Sequence, residues 1–192
     1  MAKTILVLAA NPSGTARLRL DREVRDIQAG LERARRRDDF ALRQAWAVRP
    51  MDLRRALLDH KPAIVHFCGH GGGEEGIALE DDGGNAKLVS TEALAGLFAL
   101  FAGSVECVLL NACHSAVQAD EIAKHIPHVV GMSEAISDEA AIEFAVAFYD
   151  GLAAGESAAF AYRFACNALQ LEGIPEHLTP VLKSKPGPPA NP

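Results

Sequence analysis

The feature that most constrains this fold is a set of short apolar runs that fail to alternate between apolar and polar residues. Thr4 to Ala10, Leu42 to Val48, Ala63 to Cys68, Val105 to Asn111 and His128 to Met132 have the length and content of strands. A strand with one wet face alternates in hydropathy, whereas a strand covered on both faces does not. Most of these runs are therefore expected to have protein on each side. Between them, apolar residues recur at helical spacing: Leu20, Val24, Ile27 and Leu31; Leu94, Leu97, Phe98 and Phe101; Ile142, Ala145, Val146 and Tyr149. Further helices are read over Asp52 to Asp59, Val117 to Lys124 and Glu156 to Leu171, the last ending before Gly173 and Pro175. Ile77 to Glu80 and Ala86 to Leu88, joined by Asp81-Asp82-Gly83-Gly84, form a small hairpin outside the main sheet, and Leu178 to Lys183 adds an edge strand. Strands alternating with helices give an α/β fold: a mostly parallel sheet with helices on both faces.

Size and charge narrow the function. A chain of 192 residues has room for one full core and none for a second. The expected organisation is a domain over 1–183 and a Pro-rich flexible tail over 184–192, since the composition shifts at Lys183 to Pro192 (KSKPGPPANP) to a stretch too polar to pack. The net charge of −6, with Arg33 to Arg37 followed at once by Asp38 and Asp39, argues against nucleic acid as the main ligand. No apolar run approaches the ~20 residues of a membrane span. The first apolar stretch stops at Asn11-Pro12 with no secretion signal, so no membrane partner and a cytoplasmic location are expected.

Ligands of such sheets sit beyond the carboxyl ends of the strands, so the loops beginning at Asn11, Gly69, Ala112 and Ser133 carry the chemistry. Two are loaded: Cys68-Gly69-His70-Gly71-Gly72-Gly73 and Asn111-Ala112-Cys113-His114-Ser115. If the strands before them are neighbours, about 4.8 Å apart, His70 and Cys113 come face to face. A thiol attacks only as thiolate, and an adjacent imidazole can deprotonate it and later protonate the leaving amine. The N–H groups of Gly71 and Cys113 are candidates for the oxyanion hole, and Ser115 is expected to cap the helix near Val117. The cleft is expected between Asn11 to Arg17 and Met132 to Asp138, with Gly131, Met132, Ser133 and Glu134 beside the substrate backbone, where they could pair with it as an added strand.

A strand ending in His-Gly followed by a strand ending in Ala-Cys-His-Ser resembles the caspase, metacaspase, separase and CHAT clan of peptidases. The likeness is to bacterial CHAT domains, through Ile5 to Pro12, Ile64 to Gly71, Leu109 to Cys113 and Phe144 to Tyr149. The resemblance implies a three-layer caspase-like sandwich with a sheet of about six strands. It also implies a cysteine endopeptidase with a His70–Cys113 dyad, no cofactor, a protein or peptide substrate, and a sensor module or regulatory subunit of a defence or cell-death system. Metacaspases carry an acidic residue where Asn111 stands, and it binds a basic P1 side chain. Caspases bind an acidic P1 with arginines, for which Arg17 or Arg19 is placed here. The residues leave that choice open. The segment between the nucleophile strand and the next, Ala116 to Pro127, offers little exposed chain to cut, so control is expected from a partner or a loop rearrangement rather than from self-cleavage.

Other readings carry less. His66, Cys68, His70, Cys113 and His114 include zinc-type ligands but lack the local spacing of a closed site, so no metal is assigned. The glycines from Gly69 to Gly73 lack the Lys-Ser or Lys-Thr of a phosphate loop. Glu74, Glu75, Glu80, Asp81 and Asp82 read as a solvated loop. Among the 4 cysteines, Cys68, Cys107 and Cys166 sit in apolar patterns and read as core. The rival to an enzyme is a caspase-like adaptor that keeps the fold to bind a partner.

Overall fold

The computed structural model describes residues 2–185. In chain order the elements are β1 (Lys3–Ala9), α1 (Leu20–Arg33), β2 (Phe40–Trp46), α2 (Pro50–His60), β3 (Ile64–Cys68), β4 (His70–Gly71), β5 (Ile77–Glu80), β6 (Ala86–Val89), α3 (Thr91–Leu100), β7 (Cys107–Asn111), α4 (Ala116–Ile122), β8 (His128–Met132), α5 (Asp138–Ala153), α6 (Ala158–Leu171) and β9 (Pro180–Ser184). Every strand and helix expected above is present, with ends shifted by a few residues. Ser157, Ser137 and Ser90 cap α6, α5 and α3 by accepting the N–H groups of Phe160, Ala140 and Ala93.

The main sheet has 6 strands in the order β2-β1-β3-β7-β8-β9, all parallel except β9. Successive residues of its inner strands face opposite layers. Ile5, Val7, Ile64, Cys68, Leu109 and Val130 pack beneath α1, α5 and α6. Leu6, Leu8, Val65, Phe67, Val108, Leu110 and Val129 pack beneath α2, α3 and α4. Each fully buried aliphatic or aromatic side chain contributes about 1.5–3 kcal/mol, and strands β1, β3 and β7 collect this on both faces, hence their unbroken apolar sequences. β2 is the exception: as an edge strand it leaves Arg43, Gln44 and Trp46 exposed. Among the described residues, no helix is long and apolar enough to cross a membrane.

Two expectations change. Ser184, placed at the start of the polar tail by composition, belongs with the expected Lys183 to β9, where it pairs with His128. The remainder of that tail, from 186 on, lies outside the described residues. His70 also does not stand on an open loop. With Gly71 it forms β4, the outer strand of a second sheet ordered β4-β5-β6, in which His70 lies opposite Ala78.

That small sheet turns at Gly76, whose φ of +109° suits glycine alone and whose missing side chain leaves room for the Val89 carbonyl. Replacing Gly76 by Ala is expected to destabilise the fold by about 1–3 kcal/mol, the range for enforced backbone strain, measured by urea denaturation. The wild-type midpoint in that variant would show that the turn tolerates a side chain.

Candidate active site

The parallel pairing of β3 with β7 sets Cys68 opposite Asn111, so the chain segments that follow, Gly69-His70 and Ala112-Cys113, leave the sheet side by side. Gly69 N–H donates to the Asn111 carbonyl at 3.3 Å. A side chain on Gly71 would overlap the Cys113 carbonyl, so only glycine lets the two segments approach this closely. The expected neighbours are neighbours.

Beyond Asn111 the chain turns sharply. Ala112 is buried, Cys113 is partly exposed, and His114 is exposed at a left-handed φ of 55° with its N–H donating to the Glu134 carbonyl. Ser115 holds the turn from below and does not cap α4. Its buried hydroxyl donates to the Leu110 carbonyl (2.9 Å) and accepts the Met132 N–H (3.0 Å), tying the end of β7 to the end of β8. The sulfur of Cys113 lies 3.7 Å from the Ile136 carbonyl, in the arm leading into α5.

His70 is engaged from the other side. Its Nε2 lies 2.8 Å from the Ala16 carbonyl. A carbonyl only accepts, so Nε2 carries the proton, which leaves Nδ1 as the basic nitrogen of the neutral ring. Ala16 is presented by a loop that Asn11 closes: the Asn11 side chain donates to the Leu18 carbonyl (3.2 Å) and accepts the Leu18 N–H (3.4 Å). Asn11 N–H donates to Glu80, and Ser13 bonds Gly84 and Asn85, stapling this loop to the hairpin that carries His70. Each member of the pair is thus held by a backbone carbonyl, one from each loop expected to wall the cleft.

The remaining expected substrate contacts divide. Arg17, Ser133 and Glu134 are exposed at this end of the sheet, and Arg19 is fixed by its backbone N–H to Asp138. Asn111 and Met132 are buried instead. Pairing of an added strand along Met132 and Ser133 does not fit on that edge, because β9 already occupies it: Met132 lies opposite Pro180 and Ser133 N–H donates to the Thr179 carbonyl.

Sequence reasoning missed Glu23. It sits three residues after Leu20 and four before Ile27, on the apolar stripe of α1, and is 2% exposed. An acid at such a position was the available signal. Its Oε1 accepts His66 Nε2–H (2.9 Å) and Asn111 Nδ2–H (2.6 Å). His66 Nδ1 then accepts from the Tyr149 hydroxyl at 3.2 Å, and burial pushes that phenol well above its usual value, so it keeps its proton to donate. Glu23, His66 and Cys68 bring their donor atoms within 4.8 Å of one another. Both nitrogens of His66 are already bonded, which makes this cluster a hydrogen-bonded network beneath the site; His70, Cys113 and His114 do not join it.

The cysteines differ in environment. Burial, then the Glu23 charge, pushes the Cys68 thiol well up, and burial pushes Cys107 up to about 12. Burial also raises Cys166, which packs against the core from α6.

The family described as CHAT domain matches residues 3–178. A "Roc-COR-CHAT protease" from an unknown prokaryotic organism is 27% identical over 180 residues, which is 90% of this chain and 17% of that protein. A "Probable protease" from Gillisia limnaea is 24% identical over 152 residues, 78% of this chain and 27% of that protein. The chain therefore spans only a small part of these relatives. Among solved structures, a secreted C11 cysteine protease from Bacteroides thetaiotaomicron, in complex with an irreversible peptide inhibitor, superposes with a TM-score of 0.68 at 15% identity. That match covers 90% of this chain and 59% of the other, and it shows a shared fold.

These environments predict an order of alkylation. With iodoacetamide at pH 8, peptide mapping is expected to find Cys113 modified in the folded protein, and Cys68 and Cys107 modified only after unfolding in urea. Modification of Cys68 ahead of Cys113 in the native state would contradict the burial described.

Proposed function

The chain belongs to the CHAT domain family, and from that premise we propose that it is a cysteine peptidase with Cys113 as nucleophile and His70 as general base and acid. The observation that carries this reading is the register of β3 on β7, which delivers a half-exposed thiol and a tautomerically fixed imidazole to one end of the sheet. The names of the relatives and the fold shared with a cysteine protease support it.

In the proposed reaction His70 Nδ1 takes the Cys113 proton, and the thiolate forms a bond to the scissile carbonyl carbon of a peptide. The oxyanion is received by N–H groups of Gly71 and Cys113. His70, held upright by the Ala16 carbonyl, returns its proton to the leaving amine as the C–N bond breaks. Water, deprotonated by the same nitrogen, then releases the acyl group and restores the thiol. Arg17, Ser133 and Glu134, exposed at this end of the sheet, are the proposed substrate contacts, with Asn111 acting from the buried side.

In the resting chain Ala16 and Ile136 each hold one member of the pair, and the two do not hydrogen-bond each other. Peptide binding must therefore turn the sulfur from Ile136 toward His70, as expected of a site that tightens on its substrate. We place the trigger outside this domain, in a partner or a further module, consistent with the small share that the chain makes of its relatives.

Cys113→Ala and His70→Ala are each expected to lower hydrolysis of a fluorogenic peptide library by on the order of 10³-fold or more while leaving the circular dichroism spectrum intact. The wild-type chain should stay in one piece on a denaturing gel. Hydrolysis at the wild-type rate by Cys113→Ala would refute the assignment.

A further inference from the structure

Asn111 stands two residues before Cys113, inside the protein rather than in the cleft, and its amide makes a set of contacts that stability alone does not account for. Nδ2 lies 2.6 Å from Glu23 Oε1 and 2.9 Å from the Ala141 carbonyl, while Oδ1 is buried with no hydrogen-bond partner. Both nearby atoms are acceptors, so the nitrogen must face them and the orphaned oxygen cannot be relieved by turning the amide over. A half-satisfied amide is a poor way to fill a core. A leucine would fill similar space with no polar group to satisfy.

The three groups that meet here belong to three elements that all bear on the nucleophile. Asn111 ends β7 and leads directly into Ala112-Cys113. Ala141 lies in the first turn of α5, and the arm before that helix carries the Ile136 carbonyl that faces the Cys113 sulfur. Glu23 is on α1 and is anchored in turn by His66, a residue of the strand that delivers His70. One buried carboxylate oxygen therefore accepts a hydrogen bond from each strand of the dyad. One amide nitrogen then couples the nucleophile's chain to the segment its sulfur rests on.

We infer that Glu23, acting through Asn111, is a positioning residue that sets where the Cys113 thiol sits between Ile136 and His70. The inference rests on the reading of Cys113 as nucleophile. Glu23 touches neither thiol nor substrate. Its contribution is to hold the Asn111 nitrogen toward α5, and with it the path of the chain from Asn111 to Cys113. The requirement is for an acceptor at this point, so an amide oxygen in place of the carboxylate still serves, whereas an aliphatic side chain does not.

The test compares Glu23→Leu, Glu23→Gln and Asn111→Asp by two readouts in the full chain. For peptide hydrolysis, Glu23→Leu and Asn111→Asp are expected to lose at least thirtyfold in kcat with KM within about threefold of wild type, and Glu23→Gln to recover most of that loss. For iodoacetamide, which needs no peptidase activity, the alkylation rate of Cys113 at pH 7 is expected to fall at least tenfold in the first two variants and to recover in the third. Near-ultraviolet circular dichroism reports whether each variant is folded. If Glu23→Leu does not fold, Asn111→Asp carries the comparison, since it changes polarity at constant volume and sets a carboxylate against two acceptors. Folded Glu23→Leu or Asn111→Asp with wild-type alkylation and wild-type kcat overturns the inference, as does a Glu23→Gln variant no better than Glu23→Leu. If the wild type hydrolyses no peptide while alkylation follows the expected order, the peptidase reading fails and the positioning role stands.

Discussion

The parallel pairing of β3 with β7 is the constraint on which the rest of this structure depends. Its register, Cys68 against Asn111, is fixed by burial on both faces at once. A slip of one residue in either strand would move Val65 and Phe67, or Val108 and Leu110, out of one core and into the other, and would turn His66 into the layer under α3. The chemistry inherits that precision. Because Gly69 and Ala112 follow the last paired residues immediately, His70 and Cys113 reach each other's neighbourhood without a long loop whose ordering entropy would have to be overcome. Gly71 then allows backbone contact that any side chain would block.

Beneath this pair lies a second, polar level of organisation. Burying the Glu23 carboxylate costs several kcal/mol against water, and each hydrogen bond to a charged group returns about 1.5–3 kcal/mol. With His66 and Asn111 as its donors, the network comes close to neutral rather than adding stability. Removing a single partner is a different matter, because it leaves a buried charge or donor unmet, at a cost of about 3–5 kcal/mol. Such a network defines one arrangement of α1, β3, β7 and α5 and penalises the alternatives. The thiol of Cys68, pushed well up by burial and by Glu23, stays protonated at its edge and takes no part in nucleophilic chemistry.

Much of this was legible in the chain itself. The unbroken runs of β1, β3, β7 and β8 announced strands covered on both sides, and the motifs that follow β3 and β7 showed His70 and Cys113 openly. What could not be read depended on which side chain meets which across the fold. Ser115 has the sequence position of a helix cap, yet its hydroxyl is drawn to Leu110 and Met132 because the ends of β7 and β8 need a tie. Met132 lies at a strand end but points into the core under α5. Asn11 spends its amide closing the loop that holds His70. Glu23 stands among the charged residues of α1, and its place on the apolar stripe is the one sequence mark of its burial. Ser184 was too polar to be read as packed, but an edge strand needs only backbone partners on one side.

The central claim, that peptide bonds are cleaved through a covalent bond to Cys113, is tested most directly by trapping the intermediate. The full chain would be mixed with a peptide ester, quenched in acid during the first turnover, digested with pepsin at low pH and mapped by mass spectrometry. The account predicts the acyl group as a thioester on the peptide containing Cys113, absent when His70 is replaced by Ala. Turnover of the ester with no adduct, or with the adduct on another residue, would contradict it.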